Sequence, residues 1–271
     1  MKKLLITGCA FFAVMYLQAQ QKEGKVIYER TSQIQIRIND GHMNDEMQNM
    51  MPKTRKDNFE LTFGNNQSLW KQAEREADDD ATGFEGGGMQ IRMIGGGTDD
   101  VLYNNFETKA RVEQRDMFDK KFIIDDSIRS SLKWKMTTET KLILNHNCMK
   151  TTATQISKRS QMTMDNGKME RKEIEDTALI VAWFASDIPV SAGPADYQGQ
   201  LPGLILEMDI ANGRQVYKAL NISPKADLAA IKAPTGKKHY SREEFRSEVD
   251  KMMAEMQRNN GGPGRVMRFN N

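Results

Sequence analysis

The sequence predicts a mainly β (α+β) protein: an antiparallel sheet with one helix at its C-terminal end. Two observations carry that reading. Short runs rich in β-branched and aromatic residues recur from Lys25 to Leu220, separated by Gly, Asn, Asp and Pro clusters rather than by helical repeats, which favours a meander over βαβ units. Near the C-terminus, Ser241 and Glu244 form a capping box ahead of an apolar stripe at Phe245, Val249, Met252, Met253 and Met256.

The first segment is a leader. Lys2 and Lys3 supply its charge, Leu4 to Leu17 its apolar stretch, and Ala19 a small residue before the cut, so residues 1–19 read as a secretory signal peptide. Ile6-Thr7-Gly8-Cys9 has the form of a lipid-attachment box, but strongly apolar residues continue after Cys9, which makes it part of the apolar stretch. Cleavage leaves Cys148 as the one mature cysteine and excludes an internal disulfide. No later run of about twenty apolar residues follows, so no transmembrane segment is expected in the mature chain. Localisation follows as the periplasm or an outer-membrane-associated position. Without Lys2 and Lys3, 37 basic side chains face 37 acidic ones, which argues against a nucleic-acid partner.

Residues 20–257 read as a single domain. Lys25 to Ile38 alternates at Ile34, Ile36 and Ile38 and is a strand. Met43, Met47, Met50 and Met51 share the face of a short helix that Pro52 ends. Asn58 to Phe63 and Gln67 to Lys71 form a hairpin around Gly64-Asn65-Asn66. Residues 74–100 hold Asp78-Asp79-Asp80, two Gly triplets and little apolar content, and read as a flexible loop. No Gly-Lys-Ser/Thr ending accompanies those glycines, so a phosphate cradle is not indicated.

Strands then follow at Val101 to Phe106, Phe118 to Ile124, Lys133 to Thr137, Lys141 to Leu144, Cys148 to Ile156, Thr177 to Phe184, Gly203 to Ile210 and Arg214 to Leu220. The last two form a hairpin around Asn212-Gly213, with Leu204, Leu206, Met208 and Ile210 expected on one face and Ile205, Glu207 and Asp209 on the other. The C-terminal helix should pack on the sheet, and residues 258–271 read as a disordered tail.

Two blocks carry a family resemblance. The first is Leu132-Lys133-Trp134-Lys135, Glu139-Thr140-Lys141 and Asn145-His146-Asn147-Cys148-Met149-Lys150. The second is Trp183-Phe184, Ile188-Pro189-Val190, Gly193-Pro194, Tyr197-Gln198-Gly199 and Leu201-Pro202-Gly203-Leu204-Ile205-Leu206-Glu207. Together they resemble the GLPGLI family of secreted Bacteroidetes-type proteins over roughly residues 25–223. Gln200 departs from the motif's first Gly, and Asn145 stands at a turn Gly but tolerates the left-handed region. The resemblance implies a secreted envelope protein without an assigned chemistry. A long antiparallel sheet with a helix is also similar in outline to the open half-barrel of periplasmic lipoprotein carriers, whose concave face holds acyl chains. That likeness is of fold and carries no function.

Candidate sites follow from residue chemistry. Pro194 and Pro202 fix φ while Gly193, Gly199 and Gly203 permit turns, so the loop before the Leu204 strand is stiff. It is either a crossover packed under Trp183 or a recognition loop. In the second case Trp183, Pro194, Asp196, Tyr197, Gln198, Leu201, Pro202 and Gly203 would contact an envelope protein or an apolar ligand.

Methionine is abundant at 19. His42, Met43 and Met47 offer the soft ligands that Cu(I) selects, against the plainer role of methionine in filling helix faces. His146 and Cys148 would share a strand face, with no acidic orienter visible. GxSxG, HExxH, Walker, Cys-x-x-Cys and dinucleotide patterns are absent. The expectation is a non-catalytic binding module without a cofactor, with periplasmic Cu(I) handling as the alternative.

Overall fold

The structure, a computed structural model, describes residues 21–33, 53–73, 100–117, 120–128, 132–165 and 168–260, and within them all side chains but those of 158–174, 256, 257, 259 and 260. The leader, the Met-rich and Gly/Asp-rich stretches and the tail beyond residue 260 lie outside the described residues. So do His42, Met43 and Met47.

Among the described residues twelve strands form one sheet: β1 (Gly24–Gln33), β2 (Thr54–Gly64), β3 (Gln67–Gln72), β4 (Val101–Asn105), β5 (Ala110–Met117), β6 (Lys120–Ser127), β7 (Lys135–Ile143), β8 (His146–Asp165), β9 (Lys168–Ala185), β10 (Leu204–Ile210), β11 (Gln215–Ser223) and β12 (His239–Ser241). Their order is β12-β6-β5-β4-β3-β2-β1-β11-β10-β9-β8-β7. The β12–β6 pair is parallel and the rest are antiparallel. The mainly β, antiparallel reading therefore holds. The half-barrel does not form, because the sheet is neither closed nor strongly curled.

The turn chemistry works as the sequence dictates. Asn65 and Asn66 both take positive φ in the β2–β3 hairpin, as do Leu144 and Asn145 between β7 and β8. Ala211, Asn212 and Gly213 do the same between β10 and β11, where the Asp209 carboxylate accepts the Gly213 N–H at 2.6 Å.

Several expectations need correction. The sequence reading missed β5 and β12. The two pieces around Thr137 and Lys141 are one strand, β7, irregular between Met136 and Thr140. The β8–β9 pairing runs on to Asp165↔Lys168, beyond the ends of both flanking strands. In β10 a register shift between Ile205 and Glu207 breaks the alternation. Ile205 stands opposite Phe184 and Leu204 opposite Ala185, so the four residues from Leu204 to Ile210 do not share one face, and Leu204, Ile205 and Leu206 are all buried.

Cross-strand partners share a face, so the register defines two surfaces. The inner face runs through Ile124, Glu113, Leu102, Trp70, Leu61 and Val26 on one side. On the other it runs through Thr151, Ala182, Met208 and Tyr217. The main core lies here, with Phe59 stacked on Trp70 at 4.9 Å between ring centroids. The outer face is laced by ion pairs: Lys56 to Glu29 at 3.0 Å, Lys25 and Lys71 to Glu60 at 3.3 and 3.5 Å, and Lys141 to Glu207 at 2.7 Å.

Helix α1 (Arg242–Asn260) begins at the expected capping box, where the Glu244 carboxylate accepts the Ser241 N–H at 2.7 Å and the Ser241 hydroxyl accepts the Glu244 N–H at 3.2 Å. It packs on the sheet as expected, through its first turns. It stands at the β6–β12 edge, with Phe245 against Phe122, while Met253 is exposed. Among the described residues no helix is long and apolar enough to cross a membrane.

Candidate functional site

The segment 186–203 leaves β9 and crosses the inner face before entering β10. Its apolar residues Ile188, Ala192 and Leu201 join the main core. Its polar residues each reach a different strand. The Ser68 hydroxyl on β3 donates to Gln198 Oε1 at 2.6 Å, a fully buried bond. Arg111 on β5 donates to the Asp196 carboxylate. The Tyr197 hydroxyl donates to Gln155 Oε1 on β8 at 3.1 Å. Beside them the Trp134 indole N–H donates to Gln200 Oε1 at 3.3 Å, and the Gln200 amide donates to the Asp196 carbonyl at 3.3 Å. The departure at Gln200 thus serves as a brace.

Two glycines are required by space. Gly199 has φ +78°, and a Cβ there would overlap Ile128. At Gly203 a Cβ would overlap the carbonyl oxygen of Ala185. The backbone is closed by Gly199 N–H to the Ser191 carbonyl at 2.6 Å and by Ile205 N–H to the Ala192 carbonyl at 3.1 Å. Burial raises the Tyr197 hydroxyl above its usual range, with Tyr217 and Asp196 adding to it.

The eight loop and strand candidates therefore divide. Pro194, Gln198, Leu201 and Gly203 are buried, Tyr197 is half-buried, and Asp196 and Pro202 reach solvent. Trp183 is not above the loop. It pairs with Lys150 and Glu207 on the outer face, where Lys141 Nζ sits 4.4 Å from its ring centroid. The rim exposed by the loop consists of Ser186, Asp187, Pro189, Asp196 and Pro202.

Beneath one end of the loop lies a buried ionic cluster. Glu113 Oε1 accepts Arg111 Nε at 3.0 Å and Arg242 Nη2 at 2.9 Å, and Oε2 accepts Arg115 Nε at 3.2 Å. Burial pushes the Glu113 carboxyl up, but the charges of Arg111, Arg115 and Arg242 outweigh it and hold the group below the usual carboxylate range. Asp57 on β2 repeats the pattern, where Arg30 and Arg55 overcome its burial.

Cys148 and His146 have an acidic neighbour that the sequence did not reveal: Asp187 lies 2.7 Å from His146 Nδ1. The thiol itself is fully buried and pushed up to about 11, first by burial and then by the Asp187 charge. Such a group is a protonated thiol at neutral pH and a poor nucleophile. The loop's partners Ser68, Arg111, Gln155 and Trp134 also escaped sequence reading, because nothing local marks a residue that bonds 42 to 130 positions away.

Residues 134–207 match a family model described as "Protein of unknown function (Porph_ging)", of GLPGLI type. That stretch covers both sequence blocks except Leu132 and Lys133, from Trp134 through the loop to Glu207. No curated protein matches the sequence. Among solved structures, "Structure of PNGF-II in C2 space group" is similar at 16% identity and a TM-score of 0.49, over 85% of this chain and 33% of that one. The chain thus spans about a third of that protein's length.

Proposed function

We propose that the mature chain is a non-catalytic, exported cell-envelope protein that binds a protein partner through the rim of the 186–203 loop. The observation that supports this most is the loop's anchorage to three strands, at Ser68, Arg111 and Gln155, which presents Pro189, Asp196 and Pro202 on a fixed scaffold. A surface already ordered before contact loses little entropy on binding. The same anchorage weakens the case for an apolar ligand on the inner face, since the chain's own Ile188, Ala192 and Leu201 occupy that bed. The buried, protonated Cys148 favours the non-catalytic part of the reading.

The test is native mass spectrometry of the protein isolated from its own envelope, comparing the parent with a Pro189→Ser, Pro202→Ser double variant. The parent should carry an added mass of protein size that the variant has lost, with both folded. A lipid-sized or metal-sized mass kept by both forms would overturn the reading.

A further inference from the structure

The loop and the C-terminal helix meet at the Glu113 carboxylate. Glu113 Oε1 accepts from Arg111, which holds the loop through Asp196, and from Arg242, the first residue of α1. Arg242 also donates to Asp126 at 2.7 Å, and Arg115 to Asp100 at 3.4 Å. The Glu113 side chain is only 4% exposed, so water does little to screen its interactions. Among the described residues no bond joins Asp196 to Arg242 directly.

With the helix docked, the guanidiniums of Arg111, Arg115 and Arg242 share Glu113, and Arg111 also holds Asp196. Withdrawing Arg242 leaves Arg111 and Arg115 as the described partners of Glu113. Arg111 is then the nearest cation left to Glu113, which cannot escape, whereas Asp196 is 65% exposed and can turn to solvent. The carboxylate released is the one that ties the loop.

We propose that docking of α1 and fixation of the loop are energetically coupled through Glu113, so that whatever displaces the helix loosens the loop and whatever holds the loop strengthens helix docking. The second direction follows from the first by linkage. The helix is suited to such a role because it is held at its start, by Arg242 and by Phe245 on Phe122, while Met253 stays exposed. The coupling does not depend on what the loop binds.

Hydrogen exchange on the full-length protein tests it, read at the amides of Tyr197 and Gly199 and at helix amides after Phe245. Arg242→Gln should speed exchange at the loop by about fivefold or more, the lower end of usual coupling factors. Asp196→Asn should speed the helix reciprocally, and the double variant should show less than the product of the two effects. Arg242→Lys, which keeps the charge, should restore much of the loop's protection. Lys251→Gln, which removes an exposed pair on the same helix, should leave the loop unchanged. The proposal is overturned if Arg242→Gln speeds the helix alone. It is equally overturned if loop, helix and the β1–β2 amides all quicken together, which is plain loss of stability.

Discussion

Segments 186–203 and 224–238 cross this sheet on opposite faces, and they are held in different ways. Segment 186–203 crosses the inner face and combines buried apolar residues with polar bonds to β3, β5 and β8. Segment 224–238 crosses the outer face on its way from β11 to β12. There Ile231 is buried, and Leu228 packs where Gly64 leaves no room for a Cβ. The side-chain bonds around it are local: Asp227 accepts the Ala229 N–H at 3.0 Å, and Ser223 accepts the Lys225 N–H at 3.2 Å. Apolar cover is non-directional and tolerates sliding, whereas a buried hydrogen bond fixes position because leaving it unmade is costly. The inner segment is therefore specified in place, and the outer one is chiefly a cover.

The largest expected effect on that contrast comes from Gly203→Ala. The added Cβ meets the Ala185 backbone carbonyl, which cannot swing away as a flexible side chain could. A loss of about 3 kcal/mol is expected, read as a fall in the denaturant midpoint without a change of slope. Close behind is Asp196, Tyr197 and Gln198 to alanine together. This strands the buried Ser68 hydroxyl, removes one partner of Arg111 and empties the place of a half-buried ring, for about 2 to 3 kcal/mol. A melting temperature close to that of the parent would show that these residues serve only the exterior.

On the outer segment, Ile231→Ala should cost about 2 kcal/mol and leave the exchange of the 195–200 amides unchanged. Changes inside the inner segment should alter those amides.

Acid should act mainly on the inner face. Glu113 and Asp57 are held below the usual carboxylate range in the fold, so their contribution is present above the unfolded value of about 4 and is lost as pH falls through the lower folded value. Asp100 works in the opposite sense. Burial raises it despite Asp116 N–H and Arg115, so part of the loss is returned as it protonates. Melting temperature should therefore fall from about pH 5 to about pH 3, and fall less steeply in Glu113→Gln.

The smallest effect is expected from Pro202→Ala. Its ring is exposed and its replacement acts through the unfolded chain, by about 1 kcal/mol or less.

What the sequence disclosed follows the same division. Turns were legible because Asn65-Asn66 and Asn212-Gly213 carry their own conformational signal. The capping box at Ser241 and Glu244 was legible for the same reason, being complete within four residues. The stiff loop was legible as a loop, through its prolines and glycines. Its partners were not, since Ser68, Arg111 and Gln155 are ordinary polar residues until the fold assembles them.

Strand β5 was missed because Arg111, Glu113 and Arg115 occupy the inward positions where an alternating apolar pattern would be sought. Those charges are tolerated there because they pair with one another and with Asp196, Asp100 and Arg242. The shift after Ile205 misled the hairpin reading in another way. One extra residue reverses which side chains face inward, and no residue type announces it.

The measurement that bears most directly on the central claim, that the 186–203 loop is a fixed part of the inner core, is native-state exchange of the Gly199 amide, bonded to the Ser191 carbonyl at 2.6 Å. If the account is right, this amide exchanges only through large-scale opening, as slowly as the amides of β1 and β2, and its rate follows denaturant with a slope close to that of global unfolding. Fast exchange, insensitive to denaturant while β1 and β2 stay protected, would mean that the loop opens by itself and would contradict the account.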